Sequence, residues 1–188
     1  VIDSGASVEL DSHNGNFLAK KAGTEFSVAN SSYAGMILGY RMIGETHTHT
    51  SYTLTTSMAV PDSDMTVRFI APPSGIVEYE VQIYADINTN YRLYFGLSDN
   101  ATYNSLGDTY EQQVLLPDET DISTVTWKVV ETGLTAGTTY NRWFGARVSS
   151  VSATSKLFFG GTSINRYVDF IMKVTALPTA VSDFAVYE

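Results

Sequence analysis

His47 and His49 stand in Thr46-His47-Thr48-His49-Thr50, two imidazoles spaced closely enough to act together. On a strand, alternate side chains share a face, so both rings would point the same way, roughly 7 Å apart. That spacing lets them share a metal ion, and around a three-fold axis three such pairs would offer six nitrogens. The same residues also suit an exposed polar hairpin loop between Ile43 and Tyr52, with both rings in water. Asp118, Glu119 and Asp121 follow Pro117 and are candidate oxygen donors to calcium, which favours flexible acidic loops. Their spacing matches no complete calcium loop and fits a solvated acidic turn equally well. Asp62 and Asp64 read the same way.

A second chemistry is recognition by stacking and hydrogen bonding. The aromatics Tyr79, Tyr84, Tyr91, Tyr94, Tyr103, Tyr110, Trp127, Tyr140 and Trp143 are interleaved with Asn, Asp and Gln. Two loops concentrate the useful types. Asp99 to Gly107 carries Tyr103 with Asn100 and Asn104, and the stretch from Ser150 ends at Asn165 and Arg166, close to Gly160-Gly161. Tyrosine offers a rigid stacking face at low entropic cost, and amides add directional hydrogen bonds. Asn100, Tyr103, Asn104, Asn165 and Arg166 are therefore the candidate ligand-binding set. The rival reading makes these loops connectors or contacts between subunits, where Tyr and Trp are also enriched.

Enzymatic chemistry finds little to work with. The chain has no Gly-x-Ser-x-Gly elbow, no His-Glu-x-x-His and no phosphate-cradling glycine loop. It has no cysteine, which removes disulfides, thiolate metal sites and thiol nucleophiles together. His13 lies far in sequence from any nucleophile. Two carboxylates brought together by folding would suffice for glycoside hydrolysis, but nothing marks such a pair, and the reading is of a non-enzyme.

The elements that must position these residues are strands. Val77, Tyr79, Val81 and Ile83 alternate with residues of mixed character, as do Leu93, Phe95 and Leu97, then Val125, Trp127 and Val129, then Val168, Phe170, Met172 and Val174. One face of each run is apolar and the other mixed, the pattern of antiparallel sheets with one solvated side. Turn residues punctuate the runs at Pro61-Asp62, Pro72-Pro73-Ser74-Gly75, Asn88-Thr89-Asn90, Gly133 to Gly137 and Gly160-Gly161. About nine or ten strands fit between Met36 and Thr175, with no amphipathic helix. The expected fold is all-β, an antiparallel, jelly-roll-like β-sandwich over residues 36–188 with Phe95, Trp127, Phe144 and Phe170 in its core. Residues 1–35, rich in Ser, Asn, Gly and Ala, read as an extended N-terminal arm that packs on a neighbour or runs along the domain.

With 11 basic and 20 acidic residues the formal charge is −9, and no Lys or Arg falls between Arg92 and Lys128. Such a surface repels nucleic acid and anionic lipid alike. No stretch approaches the roughly 18 apolar residues of a membrane span, so neither nucleic acid nor membrane insertion is expected.

Three resemblances add to this. Thr66 to Gly75 followed by Val77-Glu78-Tyr79-Glu80-Val81 resembles the strand, AP-x-S-G, strand hairpin of trimeric jelly rolls of the C1q and tumour necrosis factor class. Gly133-Leu134-Thr135-Ala136-Gly137-Thr138-Thr139-Tyr140 resembles the turn of fibronectin type III domains that carries the tyrosine corner. Asn16 to Lys20, Thr24 to Asn30 and Phe170 to Pro178 look like segments of fibre and virion-surface proteins of marine tailed phages. That likeness implies a homotrimeric structural protein on the virion surface, a tail-fibre head that adheres to a host-surface glycan or protein and contacts other virion proteins. A capsid decoration protein, a head fibre and a free-standing carbohydrate-binding module stay open as alternatives. His47 and His49 resemble the short His-x-His strands that bind iron in some trimeric phage spikes and short tail fibres.

Overall fold

Over the ten residues Val77–Asp86, Val77, Tyr79, Val81, Ile83 and Ala85 are fully buried while each residue between them is half-exposed. The two-residue period thus becomes one core face and one outer face. A computed structural model describes residues 20–21, 24–25, 34–44, 51–87, 91–114, 122–150, 155–160 and 167–178 of the chain. It contains the strands β1 (Lys20–Lys21), β2 (Thr24–Glu25), β3 (Ile37–Ile43), β4 (Ser51–Thr53), β5 (Thr66–Ile70), β6 (Val77–Asp86) and β7 (Leu93–Ser98). After a 3-10 turn at Asp108–Tyr110 come β8 (Glu111–Val114), β9 (Ile122–Glu131), β10 (Thr139–Val148), β11 (Lys156–Phe158) and β12 (Phe170–Ala176).

β6 organises the larger, six-stranded sheet. β9 pairs with its whole length on one side. On the other side β12 pairs with Val77 to Gln82 and β11 with Tyr84 to Asp86. β3 lies outside β12, and β4 lies outside β11. The second sheet has the order β5-β10-β7-β8, and all pairings are antiparallel. The chain moves between sheets so that β3-β12-β6-β9 faces β5-β10-β7-β8, the jelly-roll arrangement. The expected all-β antiparallel sandwich is what the chain forms.

The four predicted core aromatics meet between the sheets. Phe95 and Phe144 come from the smaller sheet, Trp127 and Phe170 from the larger, and none is more than 5% exposed. Their rings touch in sequence: Trp127 to Phe95 at 6.0 Å, Phe95 to Phe144 at 4.8 Å, Phe144 to Phe170 at 5.7 Å. Edge-on and tilted contacts of this kind add to what burial alone contributes. The sandwich also closes along both flanks. Trp127 donates its indole N–H to Gln112 across the β9/β8 flank at 2.9 Å. On the β3/β5 flank, Arg41 binds Asp64 at 2.8 Å. There Gly39 is needed for space, because a Cβ would run into Val67 and the Arg68 carbonyl.

Four expectations need correction. The AP-x-S-G turn joins β5 to β6, which belong to different sheets, so it is a corner and not a hairpin. Its role is to carry the chain across the core. Gly75 accepts from the Leu134 amide at 3.1 Å, and the Gly137 amide donates to Ala71 at 2.9 Å. The second resembling turn therefore packs against the first at the same end. There Tyr140 accepts a hydrogen bond from the Thr135 amide, five residues upstream, at 3.1 Å. The second correction concerns Ile43 to Tyr52: β3 pairs with β12 and β4 with β11, so β3 and β4 are not the paired strands of a hairpin, and residues 45–50 between them lie outside the described ones. Third, the apolar phase of the last strand begins at Phe170, since Val168 lies outside it and is 38% exposed. Fourth, the loop expected from Ser150 to Asn165 contains β11, which fills the upper half of the sheet beside β6. Of the arm, β1 and β2 form a two-stranded ladder separate from both sheets, and its other residues up to 33 lie outside the described ones.

Candidate functional site

The loop after β7 is held from within. Ser98 is fully buried, and its Oγ donates to the Asn100 carbonyl at 2.7 Å while accepting from the amides of Asn100 and Asn104. The Asn100 side chain accepts from the Thr102 amide at 2.9 Å, and Asn104 donates to Asp99 at 2.7 Å. Both amide side chains are thus engaged in fixing their own loop, although both residues are exposed.

Tyr103 has a larger structural task. Gly96 on β7 and Gly145 on β10 are direct register partners, and both face outward from the smaller sheet. Two absent side chains leave a trough, and the Tyr103 ring fills it. A Cβ at Gly145 would overlap the ring, and one at Gly96 would overlap the hydroxyl. The hydroxyl donates to Glu111 on β8 at 2.7 Å. Burial and that carboxylate push the phenol above its ordinary titration range. Tyr103 therefore presents an edge to solvent rather than a free stacking face. Beside it, Arg147 lies 3.7 Å over the ring of Tyr94.

A charged cluster that the sequence did not advertise lies in the interior. Tyr79 on β6 donates to Glu131 at 2.5 Å, and Arg142 on β10 grips the same carboxylate through Nε and a terminal nitrogen, the closest contact being 2.6 Å. Glu131 and Arg142 are 5% and 7% exposed. The guanidinium also covers the ring of Tyr140 at 4.8 Å. Burial, then Glu131, raises the Tyr79 phenol well above its usual value. Burial works against the Arg142 charge, but Glu131 outweighs it and holds the group above its usual value. Every side-chain polar atom of the pair has a partner, and the pair pins β9 of one sheet to β10 of the other.

The outer faces differ. On the larger sheet Glu80 bridges Lys128 at 2.9 Å and Lys173 at 3.2 Å, and Lys128 also reaches Glu78 at 3.7 Å. Around these paired charges lie exposed large apolar side chains: Ile37, Tyr40 and Met42 on β3 and Val130 on β9. Tyr84, Phe158 and Tyr167 add a half-buried aromatic group on the same face, with Phe158 and Tyr167 stacked at 4.3 Å. On the smaller sheet, Thr139, Asn141 and Trp143 of β10 point outward beside Ile70, Arg68 and Thr66 of β5. One end of this strip opens into a shallow groove of about 320 Å³ lined by Leu38, Arg68, Phe69, Ile70 and Thr139. Leu38 reaches the groove through a register slip of β3 against β12 between Val174 and Thr175.

Of the residues singled out from sequence, Asn100, Tyr103 and Asn104 come together in one loop. His47, His49, Asn165, Arg166, Asp118, Glu119 and Asp121 lie outside the described residues. Asp62 is nearly buried and accepts the Asp64 amide at 2.8 Å, while Asp64 pairs with Arg41. Among the described residues no three His, Cys, Asp or Glu side chains are grouped to hold a metal, and no helix is long and apolar enough to cross a membrane. Tyr79, counted among the stacking candidates, is fully buried. The sequence reading missed Arg68 and Asn141, whose only signal was their outward phase in two paired strands. No family model matches this chain, and no curated protein resembles it in sequence.

Proposed function

We propose that this protein is a non-enzymatic structural component of a phage virion, a tail-fibre head that assembles as a homotrimer and adheres to the host surface. The observation that supports this reading is the outer face of the larger sheet. Exposed apolar side chains are gathered there, and the charges among them, Glu78, Glu80, Lys128 and Lys173, are two of each sign and paired. Copies of a chain with net charge −9 repel one another over most of their surface. A locally neutral, apolar face is where such copies can meet, and a closed ring needs one self-compatible surface repeated about an axis. Adhesion then follows from valency, since weak single sites add when several heads engage one cell surface.

Light scattering in solution tests the assembly. The expected mass is three times the 20.6 kDa chain, falling to one chain when Met42→Lys and Ile171→Lys are combined. These two residues are register partners on that face. A monomeric wild type would overturn the trimer and leave the free-standing module.

A further inference from the structure

We infer that the strip Arg68, Asn141 and Trp143 on the outer face of the smaller sheet, with the groove beside it, binds the terminal acidic residue of a glycan. The ligand class is a pyranose carrying one carboxylate at the end of an otherwise neutral oligosaccharide. The inference rests on the adhesion reading for its purpose, but not for its test.

Three donors carry the argument. Arg68 is exposed and, among the described residues, its guanidinium has no ion-pair or hydrogen-bond partner. Its planar fork suits a carboxylate bound through both oxygens. Asn141 is its direct register partner, equally exposed, with its side-chain amide likewise unengaged among the described residues. Trp143 is two residues along β10, on the same face and half-buried. Its indole N–H also lacks a partner among those residues, whereas the indole of Trp127 is bonded to Gln112. Diagonal neighbours on paired strands lie about 7–8 Å apart, which puts the guanidinium at the rim of whatever ring stacks on Trp143. The groove past Arg68 supplies apolar walls from Leu38, Phe69 and Ile70 and a hydroxyl from Thr139.

Charge selects the kind of acid. The strip holds one unpaired arginine, which matches one carboxylate, and the chain's net charge of −9 opposes a long run of them. A polyuronate or a nucleic acid is therefore excluded on the same ground. A peptide would need more than one side-chain pocket, and the strip offers a single aromatic with donors in line.

The test uses the whole protein on an array of neutral oligosaccharides, each with and without a terminal glucuronate or sialate, alongside polygalacturonate and an acidic peptide. The expected result is at least tenfold tighter binding of the acid-capped member of a pair. Arg68→Gln should erase that preference, and Trp143→Leu should weaken both members tenfold or more, with molar mass and thermal midpoint held. Titration of the wild type should shift the Trp143 indole signal and leave that of Trp127 in place, which covers the case of a variant that misfolds. The Met42→Lys, Ile171→Lys monomer should still bind a single acid-capped sugar, so failure of the trimer and failure of the site are read separately. No binding on the array, equal binding of capped and uncapped members, preference for polygalacturonate or the peptide, or indifference to both substitutions overturns the inference.

Discussion

The two outer faces of the sandwich are built from the same alternation and have opposite character. On the larger sheet the polar side chains satisfy one another, and the apolar ones are left exposed. On the smaller sheet the gap that would have been apolar, over Gly96 and Gly145, is filled by Tyr103 from the chain itself, and polar donors are left over. A face with exposed apolar groups and matched charges gains by being covered by a like surface. A face with spare donors gains only from a ligand that brings acceptors. The strand period alone cannot separate these cases, because it fixes which side chains point outward and not which of them find partners.

The largest effect should come from the pin that holds the two faces back to back. Arg142→Met removes one half of a buried ion pair and leaves Glu131 charged in the core, which costs about 3–5 kcal/mol. Urea denaturation of that variant beside Arg142→Met with Glu131→Leu separates charge from packing. The double variant should recover most of the loss, because two apolar groups replace a pair whose desolvation already offsets much of its attraction. A double variant as unstable as the single one would mean that the pair orders the sheets by more than charge.

Next in size is the trough. Gly145→Val places a branched side chain where the Tyr103 ring lies, so either the ring leaves or β10 shifts from β7. Overpacking of this sort costs about 1–3 kcal/mol, measurable by denaturation, and the loop from Asp99 to Gly107 should gain protease sensitivity. Tyr103→Phe is milder. It keeps the ring and removes the hydrogen bond to Glu111, for about 1 kcal/mol. An unchanged midpoint for Tyr103→Phe would return the tyrosine to the role of a free contact residue.

Those variants mark the boundary of what the sequence discloses. The core was legible because Phe95, Trp127, Phe144 and Phe170 each stand in a run whose period matches a strand, and burial follows from period. Tyr140 was legible through its turn, since the bond to Thr135 spans only five residues. The trough was not, because Gly96 and Gly145 are meaningful only once β7 and β10 are aligned residue for residue. Nothing local in the sequence marks Glu131 and Arg142 as a buried pair, which forms only because the corner from Gly133 to Thr138 sets β9 and β10 in opposite sheets. Arg68 and Asn141 belong to the same class: their pairing is a property of register between strands more than seventy positions apart. Local pattern settles what is inside, while long-range register settles which outward side chains find partners.

The smallest effect sharpens the comparison most directly, because it asks whether the larger face is wet. Hydrogen bonds to Lys128, then to Lys173, hold the Glu80 carboxyl below its ordinary value. A carboxyl whose folded value is depressed contributes stability above its ordinary value and loses it as the pH falls through the folded one. Wild type should therefore exceed Glu80→Gln in stability at neutral pH, with the two converging under acid conditions below the usual carboxylate range. On an open surface such pairs contribute little and fade in salt, because the screening length shrinks to about 3 Å at 1 M. Under a neighbouring copy they are shielded from counterions, so the difference between wild type and Glu80→Gln should persist in 1 M salt for the assembled protein. It should vanish there for the Met42→Lys, Ile171→Lys monomer. Equal salt sensitivity in the two backgrounds would place the Glu80 bridge in open water, and the contrast between the faces would then reduce to the trough and the unpaired donors of the smaller sheet.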